Sequence, residues 1–366
     1  MWEETYTRAC ANRGLKPREE VLSATDGVVE CYGNSFENFN NRLTDDEAAA
    51  IGAACAQLPL ISVVCLPYNI ITSRGAAALA DAMQQGFNTL QHLDLSYNSI
   101  EGEGAVALAE AAAKHSALAT LLLSGNAIGG IPGPSLKSLL ESQVSQLVKL
   151  DLERTDQDMK SLVYLCRGLV HNTTLTTLNL NRPLMTNPMD VSYVVQHLSL
   201  ALKENRTLQS LSLAHFNITD TDLELLFLTL RNSAVVSLSL KGNKLSQASG
   251  EPLAELLNHC PNFVHLDLTA NRLRDVGASA IASAVSEHCG LQSLLMGNNT
   301  IGGTGLSALA RALKLNTSVK ALGLWGNDFS EESVADFFAI RKRLESVETI
   351  DFSFYVVDGV PMLARE

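Results

Sequence analysis

The sequence predicts an α/β solenoid, in which short parallel strands alternate with helices along the chain. Residues 90–117 show the unit: Leu90, Leu93 and Leu95 are spaced as in a strand, Asn98 follows, and AVALAEAAAK is a strong helix former. The frame L-x-x-L-x-L-x-x-N-x-I/L recurs along the chain, and most units are 28 or 29 residues long. A fixed period of this length indicates a repeat architecture.

Ten copies of the frame follow one another. They begin at Ile61, Leu90, Leu118, Leu147, Leu175, Leu208, Val235, Phe263, Leu291 and Val319. Seven copies keep the Asn of the frame, at Asn69, Asn98, Asn126, Asn243, Asn271, Asn299 and Asn327. These matches place the chain in the leucine-rich-repeat class. The period and the helical second half of each unit resemble the ribonuclease-inhibitor-like subclass.

The physics of the unit explains why it must be repeated. One unit buries too few side chains to offset backbone ordering, which costs roughly 1–2 kcal/mol per residue. Stacked units share a continuous core. Every strand is followed by a crossover helix, so the strands must be parallel. Strands about 4.8 Å apart, with wider helices outside, predict a horseshoe with the sheet on its concave face and the helices on its convex face. The frame Asn is expected to point inward and bond backbone groups.

The chain ends depart from the frame. We read residues 1–60 as an N-terminal cap with a degenerate repeat, 61–346 as the ten repeats, and 347–366 as a terminal strand and C-terminal tail. The cap is expected to contain short helices at 3–13 and 17–23, and a well-marked helix at 44–57. The cap is also expected to have a capping box formed by Thr44 and Glu47, and a degenerate strand unit ending at Asn41–Leu43. At the C-terminal end we expect a last strand over Val347–Ser353.

Three adjacent units, spanning roughly 147–234, are irregular. Thr155, Pro183 and Phe216 stand where the frame has Asn, and the unit from Leu175 runs to 33 residues because of extra sequence around 184–196. One interpretation is decay of the repeat with the core preserved. The other is a bulge shaped to meet a partner, since insertions within a repeat map to one face. The role of the insertion stays open at the level of sequence.

Composition narrows the function classes. The net charge of −12 argues against a nucleic-acid or anionic-membrane surface, where basic patches supply the affinity. The seven cysteines are odd in number and include no C-x-x-C pair, which indicates free thiols in a reducing compartment. The N-terminus MWEETYTRAC lacks the apolar core of a signal peptide, and we found no apolar run long enough to span a membrane. An intracellular protein is expected.

No constellation for catalysis stands out. The eight histidines are scattered, the GGTG at 302–305 lacks the Lys of a phosphate-binding loop, and Ser124 has no G-x-S-x-G around it. Asp151 and Glu153 are close in sequence, but an exposed strand with Arg154 beside them gives no desolvation to separate their pKa values. We expect no enzyme activity, no catalytic residue, no metal, no cofactor and no small-molecule substrate.

Three segments carry a closer resemblance. LTTLNLNRPL at 175–184, LGLWGNDFS at 322–330 and VVDGVPMLAR at 356–365 together resemble the leucine-rich repeat-containing protein 34 family. In flagellated algae the similar protein is radial spoke protein 15, a component of the spoke stalk. The resemblance implies a location in the axoneme of a cilium or flagellum. The family is also associated with nucleolar ribosome assembly, which is the alternative location.

Candidate partner-binding residues follow from the strand positions that point outward. Tyr68 and Tyr97 share position 8 of adjacent units and should lie side by side. The predicted set is Tyr68, Tyr97, Asp151, Glu153, Arg154, Asn179, Asn181, Arg182 and Trp325. Exposed Trp, Tyr and Arg side chains are common anchors of interfaces. The alternatives are that the tyrosines are merely exposed and that Trp325 packs under the C-terminal tail.

Three functions fit these observations. The first is a non-enzymatic scaffold of the axoneme, in or near a radial spoke, binding other spoke or axonemal subunits. The second is a leucine-rich-repeat regulator of a small GTPase, disfavoured because the chain ends in LARE without an acidic tail. The third is a nucleolar ribosome-assembly factor, for which Arg341-Lys342-Arg343 is the nearest approach to a basic import segment. The sequence names neither the partner protein, nor the face that binds it, nor the stoichiometry.

Overall fold

Strands and helices alternate along the chain, which divides into two units. Unit 1 comprises Met1–Asp190 and Glu204–Leu208, and unit 2 comprises Val191–Lys203 and Gln209–Glu366. The computed structural model describes residues 1–24, 26–58 and 60–365. Strand and helix alternate in the α/β solenoid order that the leucine frame predicts, and adjacent strands of the repeats run parallel within each unit.

Unit 1 holds the first six strands, each paired in parallel with the next. Its elements are α1 (Trp2–Ala11), α2 (Glu19–Leu22), β1 (Val28–Glu30), α3 (Asp45–Gln57), β2 (Val63–Cys65), α4 (Ser73–Gln85), β3 (His92–Asp94), α5 (Gly102–Lys114), β4 (Thr120–Leu122), α6 (Gly133–Glu141), β5 (Lys149–Asp151), α7 (Met159–His171) and β6 (Thr177–Asn179). The next helix, α8 (Pro188–Glu204), has residues assigned to both units.

Unit 2 continues the same alternation, and its strands β7 to β12 again pair in parallel. Its elements are β7 (Ser210–Ser212), α9 (Asp220–Leu230), β8 (Ser237–Ser239), a 3-10 turn (Gln247–Ser249), α10 (Gly250–His259), β9 (His265–Asp267), α11 (Arg274–Glu287), β10 (Ser293–Leu295), α12 (Gly303–Leu315), β11 (Ala321–Gly323), α13 (Glu331–Ala339), α14 (Arg341–Leu344), β12 (Thr349–Ile350), β13 (Phe352–Val357) and β14 (Val360–Arg365).

The leucine frame predicts the strands residue by residue. Every one of the ten frames begins two residues before its strand, and equivalent positions pair across neighbouring strands, as Leu93 does with Leu121. The apolar residues at positions 1, 4 and 6 are buried, as at Leu90, Leu93 and Leu95. The predicted repeats and their inward leucines are therefore confirmed.

The frame asparagines bridge neighbouring repeats. Asn126 is fully buried, and its Nδ2 donates to the carbonyls of Leu123 in its own unit and Leu95 in the preceding unit, both at 2.9 Å. Its Oδ1 accepts from the backbone N–H of Ile100 at 3.0 Å. The predicted structural role of this residue is confirmed.

Small residues at the helix starts permit close packing of neighbouring helices. A Cβ on Gly104 would lie 2.7 Å from the Cα of Ser73 on α4, so any larger residue would push the two helices apart. At the start of α3, the N–H of Thr44 donates to Glu47 Oε2 at 2.8 Å, which confirms the predicted capping box. The two short helices predicted before it are present as α1 and α2.

The chain ends contain two features beyond those predicted. The cap has its own strand, β1, which pairs in register with β2. Its degenerate unit ends at Leu43 as predicted, since the N–H of Leu43 donates to Asn69 Oδ1 at 2.8 Å as the N–H of Ile100 does to Asn126. The prediction of a last strand over Val347–Ser353 is wrong in its bounds. The parallel sheet ends at Ile350, and Phe352 starts an antiparallel hairpin, β13–β14, that turns at Asp358 and Gly359. Both turn residues have positive φ, +49° and +83°, which suits the tight two-residue turn.

Candidate interaction surface

A left-handed backbone turn presents the candidate side chains at the strand ends. Position 8 of every frame has positive φ, including Tyr68 at +61°, Tyr97 at +54°, Arg154 at +53° and Arg182 at +55°. This backbone conformation costs a non-glycine residue about 1–2 kcal/mol. The frame leaves position 8 outside the leucine core, so its side chain points away from that core. The equivalent position of the third frame is Gly125, at +72°.

Tyr68 and Tyr97 form a stacked pair. Their ring centroids are 4.6 Å apart, the planes differ by 2°, and each residue is 36% exposed. A Cβ on Gly125 would lie 2.4 Å from Tyr97 Cδ1, so the second ring occupies space that a side chain at 125 would fill. The prediction that the two tyrosines lie side by side is confirmed. Burial, and then the neighbouring Tyr68, raise the pKa of Tyr97, so its hydroxyl stays protonated at neutral pH.

A third tyrosine on this side of unit 1 was missed. Tyr32 follows β1 and is 42% exposed, and the N–H of the next residue, Gly33, donates to the carbonyl of Pro67 at 3.0 Å. That bond makes Gly33 the equivalent of Tyr68 in the cap, so Tyr32 occupies the position just before it. Burial raises the pKa of Tyr32, and the nearby Cys65 and Glu30 act in the same direction. The signal in the sequence was Val29 and Cys31 at alternate positions followed by Tyr-Gly-Asn, which resembles the end of a frame.

The predicted polar residues of the irregular units come together at the ends of β5 and β6. Glu153 Oε2 accepts from Asn179 Nδ2 and from Asn181 Nδ2, each at 3.2 Å. Asp151 Oδ1 accepts from the N–H of Glu153 at 3.0 Å, which fixes the turn that carries the glutamate. The carboxylate of Glu153 is therefore held in one position by two amide side chains.

Arg154 and Arg182 occupy the same position in consecutive units. The N–H of Arg154 donates to the carbonyl of Asn181 at 2.9 Å, so the two turns are bonded directly to one another. Both arginine side chains are exposed. We call Tyr32, Tyr68, Tyr97, Asp151, Glu153, Arg154, Asn179, Asn181 and Arg182 the strand-end surface of unit 1. It is aromatic at one side and carries both signs of charge at the other.

Trp325 belongs to unit 2 and has different surroundings. It is half-buried and lines a cavity of about 470 Å³ together with Pro361, Met362 and Leu363 of the C-terminal hairpin. Its backbone N–H donates to Asp351 Oδ2 at 2.9 Å, and the same carboxylate accepts from the N–H of Leu324. These contacts favour the alternative in which Trp325 packs beside the tail.

The acidic, histidine and cysteine side chains of the described residues form no metal-binding group. Among residues 1–24, 26–58 and 60–365, no group of three or more His, Cys, Asp or Glu side chains is placed to hold a metal ion. All seven cysteines lie in this part of the chain and are free thiols, five of them buried. Burial raises the pKa of Cys31 and Cys65 to about 11, so both stay protonated at neutral pH. No helix in the same residues has the length and apolar character that crossing a bilayer requires.

One comparison with known proteins identifies the repeat. A family model described as Leucine Rich repeat matches residues 88–109, 204–227, 259–282 and 289–310. No curated protein sequence matches the chain.

Solved structures of low similarity include an internalin from Listeria monocytogenes, at 16% identity and a TM-score of 0.49 over 96% of this chain and 94% of that one. Another is the leucine-rich-repeat ectodomain of the receptor kinase GASSHO1/SCHENGEN3 from Arabidopsis thaliana, solved with CASPARIAN STRIP INTEGRITY FACTOR 2. It is 20% identical, with a TM-score of 0.46 over 79% of this chain and 32% of that one. A third is leiomodin-1 actin-binding site 2, at 16% identity and a TM-score of 0.31 over 55% of this chain and 89% of that one. Values this low do not indicate what the present chain binds.

Proposed function

We propose that this leucine-rich-repeat chain is a non-enzymatic scaffold that holds another protein against the strand-end surface of unit 1. The observation that carries the proposal is the stacked pair of Tyr68 and Tyr97 on one side and the hydrogen-bonded cluster around Glu153 on the other. Both are partly exposed, and each is held by contacts between side chains of neighbouring repeats. Stacked aromatic rings lose little conformational freedom on binding, and exposed arginines are common anchors of interfaces.

The chemistry of the surface indicates the kind of partner. The exposed tyrosine rings suit an arginine, a lysine or an apolar side chain, because aromatic faces attract cations and bury apolar area. Arg154 and Arg182 suit carboxylates, which they are able to bind through two hydrogen bonds each. A partner loop with apolar or basic residues next to acidic residues would match both halves. The net charge of −12 further favours a partner with a basic face.

We place this scaffold in the axoneme of a cilium or flagellum, within or near a radial spoke. Support comes from the resemblance of residues 175–184, 322–330 and 356–365 to the family that includes radial spoke protein 15. The partner would then be another spoke or axonemal subunit. Expression of the tagged chain in a ciliated cell tests this location directly. Retention in salt-extracted axonemes is the expected result, and recovery with nucleoli instead would overturn the axonemal proposal in favour of ribosome assembly.

Arg182→Glu tests the binding surface separately from the location. The substitution reverses one charge on an exposed side chain, so we expect at least a tenfold loss in partner capture, worth about 1.4 kcal/mol, with an unchanged melting temperature. Arg167→Glu is the matched control, since Arg167 is an exposed arginine on helix α7 of the same unit. Equal yields of the axonemal complex for both variants would count against a role for the strand-end surface.

A further inference from the structure

A groove on the helix side of unit 2 is not explained by the scaffold role of unit 1. It lies between α9 and α10 and has a volume of about 430 Å³. Its lining residues are Thr221, Glu224, Leu225, Phe227, Leu228, Glu251, Pro252 and Glu255. The floor is therefore apolar, and the two helices contribute carboxylates to its rim.

The sequence of α9 explains why the groove is there. Small residues bring α10 and α11 into backbone contact, since a Cβ on Gly250 would lie 2.4 Å from the Cα of Gly277. Helix α9 reads DTDLELLFLTL and has no Gly or Ala, so its bulky side chains hold α10 at a distance. The gap follows from the lack of small residues on this one helix.

Helix α9 is also apolar on its outward side. Leu223, Leu226 and Leu230 are buried in the repeat core, whereas Leu225 is 39% exposed and Leu228 is 55% exposed. Two exposed leucines one turn apart on the outer side of a helix form an apolar patch that another element is able to cover. In unit 2 this patch of α9 lies open along the groove.

Charge selects the occupant of this groove. Glu251 and Glu255 lie one turn apart on α10, Glu224 lies on α9, and all three are exposed. No Lys or Arg is among the described residues that line the groove. Arg231, which follows α9, has its guanidinium carbon 5.9 Å from the centre of the Phe227 ring. An apolar floor with acidic edges complements a helix that has an apolar stripe flanked by Lys or Arg.

Two other occupants fit less well. The carboxylates would repel the anionic headgroups of a membrane surface. A second copy of this chain would have to offer its basic run at 341–343, yet Arg343 donates to the carbonyls of Asn316 and Val319, and Arg341 stacks on Phe338.

We propose that the groove between α9 and α10 binds a basic amphipathic helix of a partner protein. This is a second interaction surface, on a different unit and with different chemistry from the strand-end surface. A scaffold with two such surfaces is able to hold two different proteins at once.

The probe for this proposal is a fluorescent peptide of leucine and lysine with the leucines at helical spacing. Titration with the full chain, followed by anisotropy, is expected to show saturable binding that weakens as salt increases. A scrambled peptide of the same composition has the same charge without the apolar stripe, and it should bind at least tenfold more weakly. Equal binding of the two peptides, or no binding below about 1 mM, would overturn the proposal.

Variants on the groove and away from it locate the binding. Leu228→Ser is expected to weaken binding of the peptide about fivefold or more, because it removes one apolar contact between the leucine and the peptide. The double substitution of Glu251→Gln and Glu255→Gln should weaken binding and flatten its salt dependence. Leu315→Ser is the matched control, since Leu315 is a 70% exposed leucine on α12 of the same unit.

An unchanged affinity in Leu228→Ser would contradict the assignment to this groove. Sedimentation of the chain alone and flotation with anionic vesicles test the other two occupants. Self-association or vesicle binding that Leu228→Ser abolishes would show that the groove belongs to one of them, and would overturn the partner-helix proposal.

Discussion

Regular and irregular repeats of unit 1 stabilise the turn after the strand with different hydrogen bonds. In a regular repeat, Asn126 makes a hydrogen bond within its own unit, to Leu123, and two to the preceding unit, with Leu95 and Ile100. In the irregular repeat, Thr155 occupies the same buried position and its hydroxyl donates only to Leu152 of its own unit, at 2.7 Å. Gln157 supplies part of the missing connection, since its Nε2 donates to the carbonyl of Gly129 at 3.0 Å.

The comparison separates what the leucines do from what the asparagines do. The strands that precede Thr155 and Pro183 pair in the same register as the others, so inward leucines are sufficient to place a strand. The asparagine adds bonds between repeats. Where it is absent, the turns carry Arg154 and Arg182, and these turns form the charged half of the strand-end surface. Loss of the frame residue coincides with the charged half of the surface, whereas the aromatic half lies on repeats that keep the asparagine.

The largest effect should come from a change in the leucine core. Leu268 is fully buried at position 6, so Leu268→Asp places a charge in an apolar core and should destabilise unit 2 by more than about 4 kcal/mol. Thermal melting followed by circular dichroism measures this loss. Gln292→Asp, on an exposed residue beside β10, is the control and should leave the melt within a few degrees. A normal melt for Leu268→Asp would refute the assignment of inward leucines.

Replacement of the turn residues tests the comparison itself. Asn126→Ala should cost about 3 kcal/mol, because three backbone groups lose a partner in a buried site. Thr155→Ala should cost about 1 kcal/mol, because one hydrogen bond is lost. Denaturant unfolding of the two variants gives both values. Equal losses would mean that the asparagine does not bridge the repeats.

Asp45 extends the comparison to the helix side of the regular repeats. Its Oδ1 accepts from the N–H groups of Thr72 and Gly75, at 2.7 and 3.0 Å, and its Oδ2 accepts from the hydroxyl of Thr72 at 2.7 Å. Burial alone would raise the pKa of this carboxyl, but the hydrogen bonds from Thr72, Arg74 and Gly75 outweigh burial and lower it.

A lowered pKa gives this carboxylate a stabilising effect that is present above pH 4 and lost as the pH falls further. Asp45→Asn should therefore cost about 1–3 kcal/mol at pH 7, and the difference from the parent chain should shrink between pH 4 and pH 2. Unfolding measured at several pH values checks both statements. Asp46→Asn, at an exposed neighbour, is expected to change stability by less than about 0.5 kcal/mol, and a pH-independent gap for Asp45→Asn would contradict the account.

The smallest expected loss of stability comes from replacing either of two glycines that follow β4, Gly125 and Gly129, with alanine. Gly125 and Gly129 have φ of +72° and +67°, so an alanine at either should cost about 1 kcal/mol from the backbone alone. Only at Gly125 would the new Cβ meet the Tyr97 ring, since nothing lies within 4 Å at Gly129. Aromatic NMR signals of Tyr97 should therefore shift in Gly125→Ala and stay in place in Gly129→Ala. The same response in both would show that Tyr97 does not lie over Gly125.

The sequence was sufficient for the features that depend on the leucine frame. It predicted the strands, the buried asparagines, the capping box at Thr44 and the pairing of the two tyrosines. The sequence predicted a degenerate strand unit in the cap but did not locate its strand, because Asp26 stands where the frame has an apolar residue. The C-terminal hairpin was read as a tail, although Asp358-Gly359 between alternating apolar residues is a typical hairpin signal.

Other features depend on contacts that no pattern expresses. Three of the ten position-8 residues are glycine, which hinted at the left-handed turn, but seven larger residues adopt it as well. The two bonds to Glu153 arise because Asn179 and Asn181 sit on the adjacent strand, and the strand register was needed to see them. The groove beside α9 required knowledge of which side of that helix remained open.

Site-specific photo-crosslinking in ciliated cells tests the central claim most directly. A photoreactive residue is placed in turn at position 97, at position 182 and, as a control on the helix side of unit 1, at position 167. The account predicts one shared crosslinked protein from positions 97 and 182 and none from position 167. Crosslinks from position 167 alone, or unrelated products from positions 97 and 182, would contradict a partner bound to the strand-end surface.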